Sequence, residues 1–229
     1  MELQRTVPWG RDFNEYLEMF SLSELTAKQT IIGCGDGPAS FNREATARGI
    51  SVTSVDPIYA FSKAELKQRI EEARSEVMPQ IHASPDDYIW TTIKNPDELE
   101  SRRMNAMRAF IDDYEDGSRA GRYVADSLPD ITFKNNSFDY ALCSHYLFLY
   151  SPQVDEKQHV KSVLELCRLA REVRIYPLVS IEDNKRSKHL PAVFSALDKA
   201  GYSYEEEAVS YEFQRGAKTM LKSNATTKS

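Results

Sequence analysis

The strongest constraint on the fold is the stretch GCGDGP, Gly33–Pro38, which follows the short apolar run Thr30–Ile32. Its three glycines at alternate positions let the backbone turn sharply and pass close to another group. Pro38 suits the first position of a helix, where its missing N–H costs nothing. A helical pattern follows, and a second apolar run, Val52–Val55, ends at Asp56. Strand, glycine turn, helix, strand and acid in this order predict a βαβ unit of a parallel sheet.

The rest of the chain continues this alternation. Further strands are predicted at 122–125, 140–143 and 172–176, and helices at 155–169 and 191–200. The chain closes with an extended pair, near 202–213 and 217–221, that turns at Arg215-Gly216. These patterns predict an α/β fold with a Rossmann-like, doubly wound, mostly parallel sheet and a C-terminal antiparallel hairpin. We expect one domain over residues 1–229, with an N-terminal lid helix at about 9–20 and a helical insertion at about 79–121.

Charge and composition narrow the range of partners. The net charge of −6 argues against broad nucleic-acid binding, which depends on Lys and Arg. The three cysteines, Cys34, Cys143 and Cys167, form no CxxC pair, so neither a disulfide framework nor a zinc site is predicted. The first residues lack the apolar core of a signal peptide, and no segment reaches the roughly 18 apolar residues of a membrane span. We expect a cytoplasmic protein with a small-molecule substrate, no metal and no membrane contact, as either a monomer or a dimer.

Two classes of ligand suit the glycine turn. A dinucleotide fingerprint has the spacing GxGxxG and an acid about 20 residues later. Here the spacing is GxGxG, and Asp56 occupies the place of the acid. The carboxylate of Asp36 within the turn would repel a pyrophosphate, whereas a ligand that carries an ammonium and a sulfonium tolerates it. The turn therefore favours S-adenosylmethionine over NAD, with a purely structural turn as the third interpretation.

A second motif lies in ADSLPDITFKNNSFDYALCSHYLFLY, Ala125–Tyr150. Together with the glycine turn it resembles the class I S-adenosylmethionine-dependent methyltransferases, which place an acidic loop, Leu-Pro and Ser-Phe-Asp in this order before and into the fourth strand. The resemblance covers Thr30 to Leu221 and implies a seven-stranded sheet, S-adenosylmethionine as cofactor and methyl transfer as activity. The chain departs from the family at Ile31, where the family usually has an acid. The segments VPWGRDF and FQRGA resemble a bacterial subgroup whose substrate is undefined.

The resemblance also implies a cofactor site. Asp56 would accept hydrogen bonds from the ribose hydroxyls, and Asp126 would accept one from the adenine amino group. Ile58 or Tyr59 would pack on the adenine ring. The predicted cofactor-binding residues are Gly33, Cys34, Gly35, Gly37, Asp56, Pro57, Ile58, Asp126, Ser127, Ser144 and Arg11.

Two residues that follow the fourth strand are the candidates for catalysis. His145 is the predicted general base, by position and by the ordinary pKa of an imidazole. Tyr146 is the second candidate. The alternative is that His145 lines the cofactor pocket without accepting a proton. Asp139, near the start of the same strand, is expected to have a structural role.

Several charged and aromatic residues have two interpretations each. Arg11, with Trp9 and Tyr16, either covers the cofactor and pairs with its methionine carboxylate or lies on an ordinary surface helix. Trp90 and Tyr88 form either a substrate wall or a small separate core. Three arginines are expected to form a solvated helix face that Glu98 and Glu100 balance, rather than an anion site: Arg102, Arg103 and Arg108.

The predicted activity is methyl transfer to a small-molecule acceptor by in-line displacement at the sulfonium methyl. Two alternatives keep the cofactor: a non-catalytic S-adenosylmethionine-binding protein with a regulatory role, and an RNA methyltransferase. A further alternative, a dinucleotide-dependent oxidoreductase, replaces S-adenosylmethionine with NAD.

Overall fold

The structure, a computed structural model, describes residues 7–23 and 25–225. Within them the chain forms a seven-stranded sheet with the order β3-β2-β1-β4-β5-β7-β6. The strands are β1 (Thr30–Cys34), β2 (Ser51–Val55), β3 (Tyr123–Val124), β4 (Phe138–Ser144), β5 (Ala170–Tyr176), β6 (Tyr202–Ala208) and β7 (Thr219–Ala225). The helices are α1 (Phe13–Met19), α2 (Phe41–Ala47), α3 (Lys63–Ala83), α4 (Pro96–Arg119), α5 (Glu156–Leu169) and α6 (Leu190–Ala200).

The pairing of the strands confirms the predicted fold class. β1 pairs in parallel with β2 and with β4, so Ile31 lies opposite Val52 on one side and Tyr140 on the other. β7 runs antiparallel to both β5 and β6. The strand order reverses between β1 and β4, and open α/β sheets bind ligands in the crevice at the carboxyl ends of strands on either side of such a point.

Both faces of the sheet are buried at the central strand β1. Ile31 belongs to an apolar cluster with Phe41 of α2 and Tyr16 of α1. Its neighbour Ile32 points to the opposite face and joins a second cluster with residues of α5 and α6, such as Val163. Because successive strand residues face opposite sides, a strand that is apolar at both positions must be covered on both faces.

The N-terminal helix is shorter than predicted. Asp12 caps α1, since its carboxylate accepts from the N–H of Glu15 at 2.9 Å and Glu15 returns the contact to the N–H of Asp12. This capping box begins the helix at Phe13 instead of residue 9. The residues before it form a strap against the glycine turn, where the N–H of Ser40 donates to the carbonyl of Arg11 at 3.0 Å.

Two helices, α3 and α4, connect β2 to β3. The predicted boundary at residue 79 falls inside α3. Phe110 of α4 packs edge-on against Tyr123 of β3, with ring centroids 5.3 Å apart, whereas α3 packs on α4. The helix that crosses back to the sheet is therefore α4, and α3 is the addition.

The connection between β6 and β7 is longer than the predicted hairpin turn. Residues 209–218 separate the two strands and fold back toward the carboxyl end of the sheet. The N–H of Ile89 donates to the carbonyl of Phe213 at 2.7 Å, and the hydroxyl of Tyr176 donates to the carbonyl of Ala217 at 2.9 Å. Among the described residues, no helix has the length and apolar character needed to cross a bilayer.

Candidate functional site

A cavity of about 250 Å³ opens at the carboxyl ends of β1, β2 and β4. This is the position where the strand order reverses, and the cavity has the scale of a small-molecule site. The predicted site residues on its wall are Arg11, Gly35, Gly37, Asp56, Pro57, Ile58, Ser127, Ser144, His145 and Tyr146. The fold thus brings together residues from the strap, the glycine turn, the end of β2 and the end of β4.

The three glycines of the turn have three different functions. The backbone of Gly35 is left-handed (φ +73°), and a Cβ there would lie 2.9 Å from the Cβ of Tyr146. Gly37 is also left-handed (φ +56°), and a Cβ there would meet nothing within 4 Å, so its open side faces the cavity. Gly33 is not on the cavity wall. A Cβ at Gly33 would overlap the carboxylate of Asp36, so this glycine makes room for that side chain.

The carboxylate of Asp36 lies under the glycine turn, and Asp36 is also on the cavity wall. It accepts hydrogen bonds from the Tyr16 hydroxyl at 2.8 Å and from the Ser54 hydroxyl at 2.6 Å. Only 6% of the residue is exposed. Burial raises the pKa of Asp36 to about 6, against the opposing effect of the two hydroxyls and with a further upward contribution from Asp56.

Asp56 links the end of β2 to the glycine turn. One carboxylate oxygen accepts from the N–H of Gly37 and the other from the N–H of Ile58, both at 2.9 Å. Burial raises the pKa of Asp56 to about 6, although both N–H groups act to lower it. Each carboxylate oxygen has two lone pairs, so Asp56 retains acceptor capacity toward a ligand in the cavity.

Two other predicted cofactor residues lie away from the cavity wall. Cys34 is fully buried under the turn. The carboxylate of Asp126 accepts from the N–H and the hydroxyl of Thr132, both at 3.0 Å, and from the N–H of Ser127 at 2.9 Å. Asp126 therefore shapes its own loop and places Ser127 on the wall, and its contact with an adenine stays a prediction.

Arg11, which precedes α1, lines the cavity and is not part of a surface helix. Its side chain donates to the carbonyl of Trp9 at 3.1 Å, and its Nε–H is buried without a partner among the described residues. Burial and then the positive charge of Arg103 lower the pKa of Arg11. Trp9 and Tyr16 are on the same wall, so the three residues do meet at the cavity.

The expectation of a solvated arginine face on α4 is wrong for Arg103. Its side chain is fully buried and pairs with the equally buried carboxylate of Glu15 at 2.6 Å. Arg102 is partly buried and pairs with Asp12 at 2.9 Å, while Arg108 is exposed, as expected, and donates to Asn105 at 3.2 Å. Arg103 lies four residues after Leu99 and four before Met107, both buried, and this spacing on the apolar stripe of α4 is the pattern that identifies it.

The buried pair shifts both pKa values. Burial alone would raise the pKa of Glu15, but Arg103 and its neighbours outweigh burial and lower it to about 2. Burial alone would lower the pKa of Arg103, but Glu15 and Tyr211 outweigh it and raise it. The Tyr211 hydroxyl also donates to Glu15 at 2.7 Å. The ion pair is therefore charged on both sides throughout the physiological range.

His145 and Tyr146 both reach the cavity at the end of β4. The backbone of His145 is left-handed (φ +52°), a conformation that costs a non-glycine residue roughly 1–3 kcal/mol. Its Nδ1 lies 2.9 Å from the Ser144 hydroxyl. Burial, followed by the charges of Arg11 and Arg103, lowers the pKa of His145 well below its ordinary value, so the imidazole is neutral at pH 7.

Of the other residues named from the sequence, Tyr88 lies on the cavity wall, and Trp90, Arg215 and Asp139 do not. Tyr88 lines the cavity and stacks on Phe213, with centroids 4.9 Å apart, whereas Trp90 packs behind them. The side chain of Arg215 donates to the carbonyl of Asp86 away from the wall. Asp139 accepts from the N–H of Thr30 at 2.9 Å, which is the expected structural role.

Sequence reasoning missed Phe213, Gln214, Ile181 and Asn184 on the wall. They come from the connections after β5 and β6, and their polar or apolar character alone does not place them at the site. In the part of the chain that the structure describes, no group of three or more His, Cys, Asp or Glu side chains is arranged to hold a metal ion.

Comparisons with known proteins give one similar sequence and several similar structures. No family model matches the chain. An uncharacterised protein of the archaeon Methanocaldococcus jannaschii, MJ0045, is 29% identical over 224 residues, which cover 96% of this chain and 97% of that protein. Membership of a bacterial subgroup stays a prediction.

Solved structures with a similar fold include methyltransferases. Magnesium protoporphyrin IX methyltransferase of Synechocystis PCC 6803, with bound SAM, is 12% identical, with a TM-score of 0.45 over 86% of this chain and 70% of that one. A SAM-dependent methyltransferase of Aquifex aeolicus is 13% identical, with a TM-score of 0.44 over 92% of each chain. The PH0226 protein of Pyrococcus horikoshii is 13% identical, with a TM-score of 0.47 over 93% of this chain and 88% of that one. At these sequence identities and TM-scores the three proteins are similar to this chain in fold, and no role is assigned to this chain from them.

Proposed function

We propose that this protein is an S-adenosylmethionine-dependent methyltransferase that acts on a small-molecule acceptor in the cytoplasm. One observation carries the proposal. Gly37, with an open side toward the cavity, and Asp56, at the end of β2, are bound to each other at the point where the strand order of the sheet reverses. This place and this acid suit an adenosine, because its two ribose hydroxyls can donate to one carboxylate.

The charge of the turn selects the ligand. Asp36 places a buried carboxylate on the cavity wall directly beside the glycines. A pyrophosphate at this turn would meet that carboxylate, and like charges at such short range repel strongly in a buried site. An ammonium and a sulfonium are attracted by the same carboxylate. The site therefore supports S-adenosylmethionine rather than NAD.

The residues on the wall suggest how the cofactor is held. In the proposal Asp56 accepts the ribose hydroxyls, while Pro57, Ile58 and Ser127 enclose the adenine. Arg11 pairs with the methionine carboxylate, because its strap lies on the glycine turn through the Ser40 to Arg11 backbone bond.

When bound, the cofactor supplies an electrophilic methyl group, whose bond to sulfur breaks as the bond to the acceptor forms. The task of the protein is to align the acceptor and to remove its proton where it carries one. His145 is neutral and faces the cavity, so its imidazole accepts that proton in the proposal. Tyr146 lies between Gly35 and Gln158 and fixes the wall of the site.

Calorimetric titration of the purified protein with S-adenosylmethionine, S-adenosylhomocysteine and NAD is the first test. We expect micromolar binding of the two adenosyl ligands and none of NAD. Binding of NAD alone, or of none of the three, would refute the proposal.

A transfer assay separates the enzyme from a binding protein. Protein, cofactor labelled on the methyl group and cell extract are incubated, and the label is then measured in the small-molecule, RNA and protein fractions. We expect label in the small-molecule fraction. Label in RNA would favour the RNA methyltransferase, and binding without any transfer would favour the non-catalytic protein.

A further inference from the structure

One end of the cavity carries two guanidinium groups and a single carboxylate. Arg11 and Arg103 both lie on the wall, and the charge of Arg103 acts on Arg11. Glu15 is the acid between them. Arg102 approaches Glu15 at 3.9 Å but has its own partner, Asp12, at 2.9 Å. In the proposed function Arg11 pairs with the methionine carboxylate of the cofactor, and Arg103 is the second guanidinium group at this end.

Both guanidinium groups have an unused donor. The Nε–H of Arg103 and the Nε–H of Arg11 are buried and have no hydrogen-bond partner among the described residues. The two terminal nitrogens of Arg103 each have a partner, Glu15 at 2.6 Å and Tyr211 at 3.3 Å. A buried donor without a partner is rare in folded proteins, and both arginines are among the residues that line the cavity, where an anionic group of a ligand would supply the missing acceptor.

The carboxylates on the cavity wall do not neutralise this end. Asp36 is bound to Tyr16 and Ser54 under the glycine turn, and Asp56 is bound to Gly37 and Ile58.

The third acid on the wall, Asp87, accepts from the amide of Asn184 at 3.3 Å. Each of the three carboxylates thus has a hydrogen-bond donor of its own. The two ends of the cavity thus differ in charge: the end at the glycine turn carries carboxylates, and the end at α4 carries guanidinium groups.

We propose that Arg103 binds an acidic group of the methyl acceptor, so that the substrate is a small carboxylic acid. This deepens the proposed methyltransferase function and depends on it. The proposed function assigns Arg11, whose carbonyl is bonded to Ser40 just after the glycine turn, to the cofactor, which leaves Arg103, from α4, for the acceptor. The aromatic pair Tyr88 and Phe213 on the same wall suits a flat or apolar body attached to the carboxylate.

The test compares acids with their neutral amides. Protein saturated with S-adenosylhomocysteine is titrated calorimetrically with benzoate and benzamide, and with phenylacetate and phenylacetamide. We expect the acid of at least one pair to bind about tenfold more tightly than its amide, the scale of one charge-assisted hydrogen bond. Equal affinities within both pairs would overturn the proposal.

Variants test whether Arg103 causes the preference for the acid over its amide. Because Arg103→Gln alone would leave Glu15 buried and unpaired, the main variant is the double substitution Glu15→Gln with Arg103→Gln, whose folding is checked by circular dichroism and melting temperature. Arg102→Gln, one residue away on α4, is the matched control. We expect the preference for the acid to disappear in the double variant and to persist in the control. A preference that survives in the double variant would refute the role of Arg103.

A last comparison separates the acceptor from the cofactor. S-adenosylhomocysteine carries a carboxylate, and 5′-methylthioadenosine lacks it. We expect the double variant to bind both as the wild type does. If it loses affinity for S-adenosylhomocysteine alone, then Arg103 holds the cofactor and the proposal is wrong. If the wild type binds neither adenosyl compound, the proposed function fails first, and the acid and amide titrations, repeated without nucleoside, still report on Arg103.

Discussion

Asp36→Asn should stabilise the ligand-free protein at neutral pH. The pKa of Asp36 rises from 3.8 to about 6 on folding, chiefly through burial, and the residue is 6% exposed. The folded protein holds this proton more tightly than the unfolded chain, so ionisation of Asp36 costs stability as the pH rises from about 4 to about 6, and the full cost is present above that window. A pKa difference of about 2 corresponds to roughly 3 kcal/mol, and asparagine, which never ionises, avoids it.

Urea unfolding followed by circular dichroism measures this difference. We expect the free energy of unfolding of Asp36→Asn to exceed that of the wild type by about 3 kcal/mol at pH 7.5 and by only about 1 kcal/mol at pH 4.5, where the wild-type carboxyl is largely protonated in the folded state. Asp112→Asn, on an exposed face of α4, is the control and should change little at either pH. A difference that is the same at both pH values, or a destabilised variant at pH 7.5, would refute the assignment of a strained, buried charge to Asp36.

Three further predictions concern the same site. Asp56→Ala should weaken the binding of S-adenosylhomocysteine by roughly 1–3 kcal/mol in calorimetry, the scale of a hydrogen bond to a charged group, and an unchanged affinity would remove Asp56 from the ribose site. Gly35→Ala should lower the free energy of unfolding by roughly 1–3 kcal/mol and by more than Gly121→Ala, because both glycines have φ +73° but only Gly35 would gain a Cβ contact at 2.9 Å; equal losses would show that Tyr146 yields without cost. The imidazole of His145 should remain neutral at pH 6 in a ¹³C NMR titration of the ligand-free protein, because burial and two arginines lower its pKa, and a midpoint near 6.5 would contradict the buried position.

Local patterns were sufficient for much of the architecture. The apolar run before GCGDGP became β1, which extends two residues into the glycine turn, to Cys34, and the run before Asp56 became β2, which ends at Val55 as predicted. Helix patterns were equally reliable, since the helix predicted at 155–169 is α5, Glu156–Leu169. Periodicity and turn chemistry are properties of neighbouring residues, so a sequence reports them directly. The length of the lid helix was misjudged because the capping box at Asp12 was overlooked.

The errors at the site have a different origin. Arg103 looked like part of a charged surface because Glu98 and Glu100 lie near it in sequence, but its partner is Glu15, 88 residues away. The connection at 209–218 read as a hairpin turn, yet it carries Phe213 and Gln214 to the cavity, because the longer connection folds back over the end of the sheet. No local rule pairs such distant segments.

The sequence by itself determined the order of strands and helices, the glycine turn and the acid at the end of β2, since each depends on period, on backbone freedom or on a capping side chain within a few residues. The tertiary structure decided which charges are buried together. Gly33 leaves room for Asp36 to turn under the loop, and α4 packs Arg103 against Glu15 with its Nε–H left without a partner among the described residues. These choices depend on desolvation and on contacts between segments far apart in the chain, and only the packed fold sets them.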